Sequence, residues 1–363
     1  MDHAYDYTKQ QQFSNPAGTE GFEFVEFSSP DPKQLAMLFQ QLGFHPYAQH
    51  QTRPLTWFKQ GHIHFLVSTE GRGFASEFAK QHGPSACAMG FKVTDAHKAY
   101  QHALSREAKP CKRKILEFGV PAIYGIGESL LYLVDDDVRT RLYQEQFELI
   151  GKTEDASNSA GLTYIDHLTH NVHCGHMDPW AEFYERIFNF REIRYFDIKG
   201  TMTGLRSRAM TSPCGNLRIP INESSDDKSQ IEEFLQEYHG EGIQHIALGT
   251  DDIYQTVSTL RANGIEFMDI PDTYYDMITE RLPGHHEAIE QLRKNRILID
   301  GHIESGKLVL LLQIFTKTLI GPIFFEIIQR KGDEGFGEGN FQALFESIER
   351  DQLVRGVLST KDK

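Results

Sequence analysis

Histidine is abundant in this chain, 17 of 363 residues. Imidazole is both the commonest metal ligand and the side chain that titrates near neutral pH. Two histidines and one glutamate stand out by their settings. His167 lies in Tyr-Ile-Asp-His-Leu, His245 in Ile-Gln-His-Ile-Ala-Leu and Glu326 in Ile-Phe-Phe-Glu-Ile-Ile. A carboxylate buried between apolar neighbours is costly unless a cation or hydrogen-bond donors meet it. Two imidazoles and a carboxylate on one face of a coordination sphere form the facial triad of non-haem Fe(II) oxygenases, which leaves positions open for substrate and O2. The intervals, 78 residues from His167 to His245 and 81 from His245 to Glu326, carry no motif of their own. They make sense only if three separate strands curl around one cavity. The alternatives are core histidines satisfied by backbone and a Glu326 paired with Arg330 or a nearby lysine.

His167, His170, His173 and His176 recur every three residues, which on a helix would form a ligand stripe. On a strand, His167 and His170 point to opposite faces. His170 is therefore read as packing or supporting a neighbour, and His173 and His176 as solvated. His285-His286-Glu287 is not a His-Glu-x-x-His pattern and reads as surface. Ser207, Asn222, Gln230, Gln244 and Gln313 fall in or beside apolar runs. Buried amides and hydroxyls need partners, so a polar ligand is one explanation for them and structural hydrogen bonding the other. The Gly-punctuated turn 335–341 leads into a helical pattern of Phe341, Leu344, Phe345 and Ile348. It is either a packed terminal helix or a hinged lid in which Phe336 and Phe341 face a planar substrate.

The elements that must position these residues come in two rounds. Residues 1–20 read as a flexible lead-in. Strands are expected at 21–27, 57–60, 62–67, 86–93 and 129–134, and helices at 33–42, 74–81 and 95–107. A polar linker at 152–161 precedes strands at 162–172, 192–198, 204–210, 217–222, 243–248, 308–316 and 323–329. Helices are expected at 179–188, 229–238 and 253–263, with a helical insertion over 273–294. Phrases echo between the rounds: HGPSACAMGFKVTDA with HGEGIQHIALGTDDI, LLYLVD with FFEIIQ, and FEFVEF with TYIDHL. This is a divergent internal repeat, giving an α+β chain of two half-barrel units (21–151 and 162–358) with helices outside. Opposite His167, His245 and Glu326 the first unit places approximately Glu26, Met89 and Tyr132, which are no ligand set.

The net charge of −14, from 37 Lys and Arg against 51 Asp and Glu, argues against nucleic acid or an anionic membrane as partner. The N-terminus lacks a signal-peptide layout and no apolar run approaches a membrane span. Cys87, Cys111, Cys174 and Cys214 are too scattered for a disulfide framework or a thiolate zinc site. The expectation is a reduced, cytoplasmic protein.

His167, His245 and Glu326 in these settings, with RIPINE (218–223), GIQHIA (242–247), LLQIF (311–315) and FFEIIQRKGDEGFGEGNFQALFESIERDQ (324–352), resemble the bacterial 4-hydroxyphenylpyruvate dioxygenase family over 21–358. The resemblance implies two tandem vicinal-oxygen-chelate (glyoxalase/bleomycin-resistance-like) domains. It implies a metal-free N-terminal half and one Fe(II) per chain in the C-terminal half, held by His167, His245 and Glu326. Ser207, Asn222, Gln230, Gln244 and Gln313 would line a polar pocket, Gln244 with a catalytic part. Phe315, Phe336 and Phe341 would hold the aromatic ring beneath a C-terminal gating helix, and Asn340 would also bind substrate. Substrate and O2 would give homogentisate and CO2 in tyrosine and phenylalanine catabolism, and oxidised homogentisate forms brown pigment. A homo-oligomer, dimer or tetramer, is expected. Hydroxymandelate synthase, which Pro220 and Asn222 disfavour, extradiol ring-cleaving dioxygenases and a metal-free binding module are the competing readings.

Overall fold

The computed structural model describes residues 13–69, 71–111, 119–150, 159–199, 204–225, 228–337, 339–340 and 355–356. They carry two eight-stranded sheets. The first contains β1 (Thr19–Ser28), β2 (His45–His50), β3 (Leu55–Gln60), β4 (Ile63–Ser68), β5 (Ser85–Val93), β6 (Ala122–Tyr124), β7 (Leu130–Val134) and β8 (Phe147–Leu149) in the order β6-β7-β5-β1-β4-β3-β2-β8. The second contains β9 (Leu162–Val172), β10 (Arg191–Lys199), β11 (Gly204–Thr211), β12 (Arg218–Ser224), β13 (Gly242–Thr250), β14 (Leu298–Glu304), β15 (Lys307–Phe315) and β16 (Phe324–Lys331) in the order β10-β11-β12-β9-β13-β16-β15-β14. Read in matching direction the two orders coincide over seven strands, with β1 in the place of β9, β5 of β13 and β7 of β16. The C-terminal sheet adds β14 at one edge and the N-terminal sheet adds β8 at the other. The internal repeat is thus a repeat of topology.

Side-chain caps start several of the helices. In α1 (Pro32–Gln41) proline takes the first turn and Asp31 accepts from the backbone N–H of Lys33 and Gln34, the arrangement that satisfies donors a helix start leaves open. α2 (Phe74–His82) starts without a side-chain cap, Asp95 caps α3 (Ala96–Ser105) and Asp135 caps α4 (Asp136–Arg139) in the same way as α1, and α5 (Met177–Phe188) again starts without one. In α6 (Gln230–Tyr238) Ser229 is the cap, and in α7 (Ile253–Ala262) it is Asp252. The insertion at 273–294 is three short helices, α8 (Asp272–Asp276), α9 (Ile278–Arg281) and α10 (Ile289–Asn295). The central strands are buried on both faces, β13 along its whole length, because the helices cover one side and the curled sheet encloses the other.

The expectations differ from the structure mainly at edges. The first sheet begins at Thr19, inside the expected lead-in, and Ala17 is already in the core. The sequence pattern does not predict the strands β2, β6, β8 and β14. β2 contains Pro46 beside a register shift, and β14 exposes Ile303. Neither shows the clean alternation that marks a strand in sequence. Of the expected linker, residues 159–161 are described: Gln60 Oε1 accepts from the N–H of Ala160 at 2.7 Å. Phe341 and the expected gating helix beyond it lie outside the described residues.

Pairing also corrects the repeat positions. Ala247 pairs with both His167 and Glu326, and His245 with Thr169. In the first sheet Gly90 pairs with Phe24 and Tyr132, and Ala88 with Glu26. The counterparts of His167, His245 and Glu326 are therefore Phe24, Ala88 and Tyr132, not Glu26, Met89 and Tyr132.

Candidate metal centre

The three adjacent strands β9, β13 and β16 bring His167, His245 and Glu326 to one point. Nε2 of His167 is 3.3 Å from Nε2 of His245 and 3.2 Å from Oε2 of Glu326, and the last two atoms are 3.5 Å apart. Cis ligands about 2.1 Å from an octahedral ion lie about 3.0 Å apart, so the spacing suits one ion. All three residues are buried, and among the described residues this is the one group of such side chains gathered closely enough to hold a metal.

The atoms behind the ligands set their protonation. Oδ1 of Asp166 is 2.8 Å from Nδ1 of His167, and Oε1 of Gln244 is 2.8 Å from Nδ1 of His245. Both partners are acceptors, so each Nδ1 carries the proton and each Nε2 can turn a lone pair to the centre. The outer oxygen of Glu326 accepts from Gln313 Nε2 at 2.7 Å. Two lone pairs and a carboxylate oxygen thus converge inside the protein, with the Thr169 hydroxyl at 2.9 Å from His245 Nε2 as a nearby donor. A cation resolves that convergence. Burial alone would raise the Glu326 carboxyl, but His167 and His245 take it down to about 2. Burial pushes His245 below the usual imidazole range. At His167 the opposing pull of Glu326 and Asp166 outweighs burial and the shift is upward.

Aromatic rings wall the centre. Phe324 stacks on His245 with centroids 4.9 Å apart, Phe336 meets His167 edge-on at 5.4 Å, and Phe315 stands 6.4 Å from His245. On the same face of β9 as His167 and Thr169 lies Asn171. Asn171, Asn222 and Ser207 pair across β9, β12 and β11 as one row. The row holds three buried polar atoms without a protein partner: Ser207 Oγ, Asn222 Oδ1 and Asn171 Nδ2. Unpaired buried polar atoms call for an explanation, and a polar ligand supplies one.

Other expected pocket residues sit differently. Both ends of the Gln313 amide serve the protein: Nε2 also donates to Phe336 O at 3.2 Å, and Oε1 accepts from Asn340 Nδ2 at 2.9 Å. Gly337, at φ +69°, has no room for a Cβ, which would fall on Gln313 Oε1. Gln244 likewise commits its carbonyl to His245, behind the ring. Gln230 opens α6 and is buried. Asn340 Oδ1 accepts from Tyr274 OH at 2.6 Å, so it anchors the start of the terminal segment. Arg330 pairs with Asp166, not Glu326. His170 turns away from the centre to Tyr184 OH at 2.7 Å, with burial lowering it to about 3. His173 and His176 are exposed. Asp166, Thr169, Asn171 and Phe324 were missed from sequence, although the dipeptides Asp166-His167 and Gln244-His245 carry the signal for an acceptor beside each ligand.

Residues 13–148 match the family described as hydroxyphenylpyruvate dioxygenase, N-terminal, and residues 164–279 match the glyoxalase/bleomycin resistance protein/dioxygenase superfamily. A 4-hydroxyphenylpyruvate dioxygenase from Pseudomonas aeruginosa is 58% identical over 349 residues, covering 95% of this chain and 97% of that protein. The chain belongs to the 4-hydroxyphenylpyruvate dioxygenase family. A relative from Vibrio vulnificus named hemolysin VllY is also 58% identical, over 95% of this chain and 98% of its own length. Among solved structures, a triple mutant of 4-hydroxymandelate synthase from Streptomyces coelicolor superimposes with a TM-score of 0.79 at 26% identity, covering 92% of this chain and 99% of that one. The family's tandem glyoxalase-like architecture is the one seen here. Among the described residues no helix is long and apolar enough to cross a membrane.

Proposed function

We propose that His167, His245 and Glu326 hold one Fe(II) per chain, and that the enzyme there converts 4-hydroxyphenylpyruvate and O2 to homogentisate and CO2. The observation that carries the reading is the convergence of three donor atoms within 3.5 Å of one another in a chain more than half identical to dioxygenases of that name. Bound Fe(II) supplies Lewis acidity and the redox chemistry needed to activate O2.

The protein's own residues do the rest. Asp166 and Gln244 keep each Nδ1 protonated so that each Nε2 faces the ion. Gln313 fixes the second carboxylate oxygen of Glu326. Phe315, Phe324 and Phe336 exclude water and offer faces to a phenyl ring. Ser207, Asn222 and Asn171 present unpaired polar atoms to the polar part of the substrate, and Gln230 supports that wall from α6. On the sequence reading, Phe341 and the helix after it close the pocket. An α-keto acid substrate contributes two electrons itself, so no nicotinamide is required. On this reading the enzyme acts in the cytoplasm as a homo-oligomer and needs no partner beyond substrate and O2.

O2 uptake by Fe(II)-loaded protein with 4-hydroxyphenylpyruvate, followed by product identification, tests the proposal. Homogentisate in step with CO2 is expected. Hydroxymandelate would mean the other hydroxylation site, and catechol cleavage without CO2 an extradiol enzyme.

A further inference from the structure

Adjacent residues on a regular strand face opposite sides of the sheet, so Asp166 would ordinarily point away from His167. The register slips there: His167 pairs with Ala247 and Ile165 with Leu248, which leaves Asp166 as the extra residue of a β-bulge. A bulge re-aims a side chain, and here it swings the carboxylate behind the imidazole. Asp166 is 1% exposed. Its second partner is Arg330, whose Nε lies 2.7 Å from Oδ2 and Nη2 2.8 Å from Oδ1. Arg218 adds a longer contact at 3.4 Å. The same Arg330 guanidinium donates through Nη1 to the carbonyls of Asp333 at 2.9 Å and Gly335 at 2.6 Å. The next residue, Phe336, lays its ring against His167. One planar cation therefore touches both the carboxylate behind a ligand and the backbone of the turn in front of it, a geometry that suits the arginine fork and that a lysine point charge cannot reproduce.

We propose that Asp166 and Arg330 are positioning residues that work as one device: Asp166 fixes the orientation of His167 toward the metal, and Arg330 couples that carboxylate to the turn carrying Phe336. The inference rests on the metal-centre reading above. The molecule contains its own control. Glu23 is the extra residue of the matching bulge in β1, between Phe22 and Phe24, and is buried against Arg139 Nε at 2.9 Å. The residue after it is Phe24, so that pair has no ligand to orient.

The test uses metal-free, full-length protein titrated anaerobically with Co(II), read by its visible absorption and by competition with a chelator. Asp166→Asn keeps the shape and loses the charge. It should weaken metal binding by about ten- to a hundredfold, the usual effect of removing an outer partner of a ligating histidine, while Glu23→Gln stays within about twofold of wild type. Arg330→Lys keeps a charge beside Asp166 and loses the carbonyl contacts. It should hold metal nearly as wild type while amide hydrogen exchange across 333–337 speeds up, a readout that stands even if Asp166→Asn fails to fold. Equal metal affinity in Asp166→Asn and Glu23→Gln would overturn the orienting role, and unchanged exchange in Arg330→Lys would overturn the coupling. A wild-type protein that takes up no Co(II) would overturn the metal-centre reading together with this one.

Discussion

The two halves of the chain share a sheet order and, in the central strand pair, three β-bulges, yet one gathers a ligand set and the other does not. In the β9–β13 pair the bulged residues are Thr163, Asp166 and Gln244, the last two each followed by a histidine. In the β1–β5 pair the register shifts fall at Glu20, Glu23 and Cys87, the last two followed by Phe24 and Ala88. Where the carboxylate of Glu326 completes the centre, the first half has Tyr132, whose ring lies 5.5 Å from that of Phe24. The aromatic pair fills the space, and Gly90 leaves room for it: a Cβ there would come within 2.8 Å of the Phe24 ring. The fold thus supplies the curled strands and the bulges in both halves. Chemistry appears only where an acceptor-histidine dipeptide occupies two of the bulges, at Asp166-His167 and Gln244-His245.

The buried carboxylates sharpen the contrast. At Asp166 the arginine fork, with His167 and Arg218, overcomes burial and holds the carboxyl well below its usual range. At Glu23 burial outweighs Arg139 and the shift is upward. The same structural position is firmly ionised where it backs a ligand and less so where it backs a phenylalanine.

The comparison predicts unequal responses to substitution. Glu326→Gln should have the largest effect, lowering both iron retention and turnover by more than the roughly hundredfold that outer partners contribute; iron content and kcat measured on the same preparation check it. Phe336→Ala should leave iron bound and reduce turnover by about ten- to a hundredfold through loss of ring positioning, read from kcat beside metal content. Phe341→Ala should act in the same sense. Loss of iron in either variant would contradict a role confined to the substrate side.

Smaller effects belong to the first half. Gly90→Ala should destabilise the protein by about 1–3 kcal/mol through overpacking against Phe24 without changing metal affinity, as denaturant unfolding and metal titration would show. His64 is buried, with its Nδ1 accepting from Trp57 Nε1 at 3.0 Å, and burial lowers it to about 3. Its folded value lies below the unfolded one, so the unfolded chain takes up the proton first. The stabilisation is complete above pH 6.5 and is lost as pH falls toward 3. Between pH 7 and 5 the loss is about 2 kcal/mol, and His64→Gln should remove that increment from the pH dependence of unfolding.

Much of this was legible in the sequence, for identifiable reasons. An isolated Glu between Phe and Ile, and histidines in apolar strands, mark a buried site because burial makes them costly otherwise. Topology followed from the echoing phrases. The exact counterparts of the ligands did not: FEFVEF and TYIDHL echo each other two residues out of the structural register, which put Glu26 where Phe24 stands, and Met89 is one residue past Ala88, the position the longer phrase sets against His245. The substrate-facing role of Gln313 and Gln244 comes from the resemblance alone, because an amide in an apolar strand looks the same whether it serves a ligand or a neighbouring side chain; here Gln313 donates to Glu326 and Gln244 accepts from His245. Asn171 was hidden by its position beside His170, whose side chain faces the other way.

The central claim is that three side chains from β9, β13 and β16 hold one ferrous ion. Anaerobic equilibrium dialysis of metal-free protein against Fe(II), comparing wild type with His245→Ala, tests it most directly. The account predicts one iron per chain in the wild type and a large loss of affinity in the variant. Undiminished, equimolar iron binding by His245→Ala would contradict it.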